Sequence, residues 1–68
     1  MELSRGDRVI IRYNMPSRDL GLKPGMQGIA TGELTYYSDD RRTVRWWNIQ
    51  WSHEKWWIPE YQIKRIKS

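Results

Sequence analysis

The chain holds no cysteine and one histidine, His53, in its 68 residues. A disulfide and a thiolate metal site are therefore excluded, and one imidazole cannot build a zinc site. No apolar run approaches the roughly 18–20 residues of a membrane-spanning helix. The opening Met1-Glu2-Leu3-Ser4-Arg5-Gly6-Asp7 lacks the apolar stretch of a secretory leader. Together with the missing cysteine this predicts a reducing, cytoplasmic setting and no membrane partner. Helical periodicity is also missing, since apolar residues nowhere recur at i, i+3, i+4 and i+7 over three turns. There is no glycine-rich phosphate cradle leading into a helix, no internal repeat and no linker. One domain over 1–68 is expected, with no cofactor.

These absences pose a stability problem. A core drawn from about 70–80 residues or fewer rarely yields more than about 3–5 kcal/mol, and the usual crosslinks are not on hand. The chain has five tryptophans and four tyrosines instead. Each large aromatic buries roughly 150–250 Å², and at about 25 cal/mol per Å² a few of them replace a crosslink. The net charge is +4, from 12 basic and 8 acidic residues. Lys64, Arg65 and Lys67 supply much of that excess, so the body of the chain is close to neutral and its end is basic.

Strand signals are good, and turn residues punctuate them at short intervals. Gly6-Asp7 opens a strand through Tyr13. Residues 14–25, with Pro16, Gly21, Pro24 and Gly25, read as a long loop over Leu20 and Leu22. Pro24-Gly25 suits the centre of a type II turn. A second strand is expected over about Gln27 to Leu34, with Gly28 and Gly32 as bend points, and a turn at Ser38-Asp39-Asp40. A third follows over about Arg42 to Ile49, and Ser52-His53-Glu54 turns the chain into Lys55-Trp56-Trp57-Ile58. Pro59 ends that ladder. Glu60-Tyr61-Gln62 reads as a single 3₁₀ turn, and Ile63 to Ile66 as a short last strand.

Four pieces in order, Gly6-Asp7-Arg8-Val9, Pro24-Gly25-Met26-Gln27-Gly28-Ile29, Val44-Arg45-Trp46, and Trp57-Ile58-Pro59 with Ile63 and Ile66, resemble the prokaryotic SH3-like and KOW-type small barrels. The resemblance covers nearly the whole chain. It implies an all-β, five-stranded SH3-like barrel, in a superfamily of RNA and ribosome binders, peptide binders and small accessory subunits. In Ile58-Pro59-Glu60-Tyr61 the tyrosine follows proline by two residues, where the proline-rich-peptide binders have three, so recognition of such peptides is not expected.

All five tryptophans fall between positions 46 and 57. Thirteen aliphatic side chains compete with them for the roughly ten to twelve inward places that strand alternation leaves in so small a barrel. Some rings are therefore expected outside. Alternation alone leaves two registers open. In the preferred one Val44, Trp46, Trp56 and Ile58 point inward, while Trp47, Ile49, Trp51 and Trp57 face out. In the other a tight turn pairs Trp51 with Trp56 and Ile49 with Ile58 on the core face, leaving Trp46 and Trp57 outside.

The expected contact surface is Trp47, Trp51 and Trp57, edged by Arg41, Arg42 and Arg45, with Tyr37 near it and Lys64 and Arg65 as backbone contacts. Tryptophan and arginine are enriched at binding hot spots and suit stacking of unpaired bases. The competing reading packs these rings into a second small core under the long loop of residues 14–25, with arginines over them as cation–π covers. Of Tyr36 and Tyr37, alternation expects one inside and one exposed. His53 stands in a turn without a convergent nucleophile and acid, and Asp39 and Asp40 are neighbours that point apart, so catalysis is not expected. Two binding classes remain: nucleic acid, as RNA or single-stranded DNA, and a protein partner, as an adaptor or small accessory subunit, with a homodimer as a variant.

Overall fold

Asp7 starts the first regular element by closing the turn in front of it. The Ser4 amide donates to Asp7 Oδ2 at 2.7 Å and the Asp7 amide to the Ser4 carbonyl at 3.0 Å. Gly6, at φ 93°, supplies the left-handed backbone the turn requires. The computed structural model describes residues 1–12, 23–38 and 40–66. Its strands are β1 (Arg8–Ile11), β2 (Gln27–Ser38), β3 (Thr43–Trp51), β4 (Glu54–Pro59) and β5 (Ile63–Arg65), with a 3₁₀ turn at Glu60–Gln62. They form one antiparallel sheet in the order β4-β3-β2-β1-β5, with β4 and β5 as its edges. The expected loop over Leu20 and Leu22 lies outside the described residues.

Turn chemistry sets the limits of the strands. The Met26 amide donates to the Lys23 carbonyl at 3.1 Å across Pro24-Gly25, and Gly25 sits at φ 91°, as a type II turn demands. β2 runs to Ser38, well beyond the expected Leu34. It carries a register shift between Ala30 and Leu34, where Gly32 has φ 93°. β3 and β4 are joined by Ser52-His53 alone, because Trp51 pairs directly with Glu54.

Residues directly opposite one another in an antiparallel ladder share a face. One face therefore holds Val9, Ile11, Ala30, Trp47, Ile49, Trp51, Ile58 and Ile63, which form the core with Leu3; Leu34 and Trp56 pack against it. This overturns the preferred register. Trp47 is 2% exposed and Trp51 5%, and Trp46 and Val44 are the residues turned away from the core, half-buried. The faces are those of the second register, with partners shifted by two: Ile49 pairs with Trp56 and Trp47 with Ile58.

The physical reason lies on β2. Gly28 is no bend point. It leaves a hollow that Trp51 and Ile49 fill, and a Cβ built there would stand 2.7 Å from Ile49 Cγ2 and 2.7 Å from Trp51 Cε3. The side chains displaced outward include aliphatics as well as rings, since Ile29 is exposed and Ile10 and Ile66 are half-buried. Tyr36 and Tyr37 are both exposed, against the expectation that one is core. They lie past Leu34, where β2 extends beyond the core.

Candidate functional site

The two-residue Ser52-His53 link determines which way β4 points. With Trp51 opposite Glu54, alternation sets Trp56 and Ile58 toward the core and Lys55, Trp57 and Pro59 on the opposite, outer face. Across from them β3 presents Trp46, Asn48 and Gln50, and β2 presents Thr35 and Tyr37. Trp57 is opposite Asn48 and Trp46 opposite Pro59, so the two indoles are diagonal neighbours on one surface.

Four rings line this outer face and its border. Tyr37 is 64% exposed and Trp57 40%. The rings of Tyr37 and Trp46 meet edge to face, centroids 5.5 Å apart and planes at 71°. Tyr61, projecting from the 3₁₀ turn, carries the Arg42 guanidinium 5.5 Å from its ring centroid. A cleft opens between Tyr37, Ser38, Arg42, Val44, Trp46 and Tyr61. Flat π surfaces with a cation at one end can take planar ligands by stacking and anionic groups by charge-assisted hydrogen bonds to that cation. Asn48 anchors the floor: the Thr31 hydroxyl lies 3.1 Å from both its carbonyl oxygen and its Oδ1.

Arg45, by contrast, is engaged on the core side. Nη1 donates to Glu2 Oε1 at 2.7 Å, and Nε lies 3.0 Å from Glu60 Oε2. Its guanidinium covers the Trp47 ring at 5.9 Å, while the Trp47 indole N–H donates to Glu60 Oε2 at 2.9 Å. The hydrogen bond to Glu2 does most to raise the Arg45 pKa, over partial desolvation, with the Glu60 and Glu2 charges adding to it. Burial pushes the Glu60 carboxyl up, but the Trp47 N–H, the amino terminus 3.3 Å away and Arg45 outweigh it, so its pKa is lowered. The arginine cover of the competing reading is present at Trp47, but that ring belongs to the main core with Val9, Ile11 and Ile58 and not to a second one.

Of the expected contact residues, Trp57 and Tyr37 share the outer face, Tyr37 and Arg42 line one cleft on it, and Arg41 precedes Arg42 in the β2–β3 turn. The outer face does not include Trp47 or Trp51, which are sealed, or Arg45, which is ion-paired. Lys64 and Arg65 separate. Lys64 is opposite Ile10 on the outer side, whereas Arg65 shares the side of Val9 and donates to the Glu2 carbonyl at 3.4 Å. Sequence reasoning passed over Trp46, Tyr61 and Lys55; the last was detectable as the residue two before Trp57 on one strand. Among the described residues no three His, Cys, Asp or Glu side chains gather to hold a metal, and no helix is long and apolar enough to cross a membrane. No family model, curated protein or solved structure matches the chain.

Proposed function

We propose that the chain is a non-enzymatic binding module of the SH3-like, KOW-type barrel class, and that its outer face holds single-stranded nucleic acid. One observation carries this reading. No position that β2, β3 and β4 pair on the outer face holds a carboxylate, while the same face carries Tyr37, Trp46, Trp57 and Lys55. Aromatic side chains on which bases stack, set in a cation-bearing groove, are what sequence-tolerant single-strand binding uses. Four described acids are engaged away from it: Glu2 and Glu60 on Arg45, Asp7 in the N-terminal turn, and Glu54 accepting from the Trp56 indole at 3.1 Å; Glu33 borders the face beside Gln50 and Lys55.

The test is a titration of indole fluorescence with unstructured RNA and DNA oligomers. Binding at low salt that weakens as salt rises is expected, since each phosphate neutralised releases counterion. No binding to either oligomer at low salt would sink the reading. A protein-adaptor role rests on the same exposed rings. A stoichiometric, nuclease-resistant protein partner, together with no binding to the oligomers, would favour it.

A further inference from the structure

Resting on that reading, we propose that the phosphate backbone of the bound strand follows one row of side chains across the sheet, at right angles to the strands. The row is Arg8 on β1, Ile29 on β2, Gln50 on β3 and Lys55 on β4, each directly opposite the next. All four are exposed. At about 4.7–4.9 Å between neighbouring strands the row extends about 14 Å over the surface.

Charge complementarity selects the occupant. The row has a cation at each end and no carboxylate within it. Among the described residues neither Arg8 nor Lys55 enters an ion pair, whereas Arg45 is bridged to two acids. Lys64 extends the positive side, because it is opposite Ile10, two residues along β1 from Arg8 on the same face. Lys55 joins the row to the rings. It and Trp57 project from the same face of β4, one pleat repeat or about 6.6 Å apart. A base stacked on Trp57 thus leaves its phosphate within reach of Lys55, and the chain beyond it is drawn across Gln50 and Ile29 to Arg8. Glu33 borders this path, in the cleft it shares with Gln50 and Lys55, and opposes it.

The experiment is fluorescence anisotropy of a labelled single-stranded oligomer titrated with the full chain over a salt series. Single strands lose about 0.7 in the slope of log K against log salt for each phosphate contact removed. Arg8→Gln with Lys55→Gln is expected to flatten that slope by about 1.4. The charge-matched pair Lys23→Gln with Arg65→Gln, away from the row, is expected to leave it near the wild-type value. Glu33→Gln is expected to tighten binding severalfold at low salt. Thermal melts of every variant check that the fold is retained. A wild-type slope in the Arg8/Lys55 variant, equal flattening in the control pair, or unchanged affinity in Glu33→Gln overturns the track while leaving binding on the rings intact. A wild-type chain that binds no oligomer overturns the functional reading itself.

Discussion

Replacing Gly28 with alanine tests the packing from which every facing assignment follows. The added Cβ would lie 2.7 Å from Ile49 Cγ2, 2.7 Å from Trp51 Cε3 and 2.8 Å from Trp51 Cζ3. Carbon atoms prefer about 3.5–4.0 Å, so each contact overlaps by about 1 Å. Neither neighbour has room to withdraw, since Ile49 is fully buried and Trp51 nearly so. Overpacking of this kind costs about 1–3 kcal/mol. Against it, alanine restricts the unfolded chain and returns about 0.4–1 kcal/mol. The balance is a net loss on the order of 1–2 kcal/mol. At roughly 4–8 °C per kcal/mol for a domain of this size, the midpoint should fall by about 10 °C.

Thermal melts followed by near-ultraviolet circular dichroism, which reports on the indoles, read the shift. Trp51→Phe in the same chain shrinks the ring that the new methyl meets. The double variant should therefore be less damaged than the sum of the two singles. A Gly28→Ala protein that melts at or above the wild-type temperature, or a strictly additive cycle, would refute the seating of Trp51 over β2. Oligomer binding well below the midpoint should be unchanged, because Gly28 and the outward Ile29 lie on opposite faces.

Trp57→Ala should weaken single-strand binding by about five- to 150-fold, the equivalent of one lost stacked base at about 1–3 kcal/mol, with little change in melting. Trp47→Ala removes a sealed ring at a cost of about 3–5 kcal/mol, comparable to the whole stability of so small a domain, and should unfold the chain. Similar midpoint losses in these two variants would contradict the faces described. Glu60, with its pKa lowered from 4.5, adds stability that is present above that unfolded value and lost as pH falls through the lower folded one. Melting temperature should therefore drop below about pH 4.5, and Glu60→Gln should be less stable at neutral pH and flatter through the acid range. Ser52 holds φ 55°, which costs an L-residue about 1–2 kcal/mol. Ser52→Gly relieves that strain, less about 0.4–1 kcal/mol of added unfolded-state freedom, so the midpoint should rise by a few degrees; a fall would show that the serine side chain matters there.

The punctuation of the fold was legible because it is local. Pro24-Gly25, the Ser52-His53 reversal and the 3₁₀ turn after Pro59 each follow from one or two residues whose backbone preferences are strong. The facing of β3 was only partly legible: Trp47, Ile49 and Trp51 share one parity and the polar Asn48 and Gln50 the other, which favours the observed core face, but Val44 and Trp46 on the second parity compete with it. Val44, a natural inward residue, pointed the wrong way. The deciding contacts are remote in sequence: the hollow at Gly28 that receives Trp51, and Glu60, which accepts the Trp47 N–H. Trp57 was placed correctly because both registers turn it outward. Tyr61 was missed because its position depends on how the 3₁₀ turn docks beside β3; Lys55 was within reach, since the alternation that turns Trp57 outward turns the residue two before it outward as well.

The brevity of the β3–β4 connection makes chain length there a matter of phase. One residue inserted beside His53 would leave β4 two poor choices: to slip by a place, wetting Ile58 and driving Trp57 and Lys55 inward, or to absorb the extra residue as a bulge and twist away from β3. Exchanges of one side chain for another at that exposed tip would disturb neither arrangement. Drift in this hairpin should therefore be closed in length and freer in identity at His53 than at Ser52, whose φ of 55° disfavours branched residues.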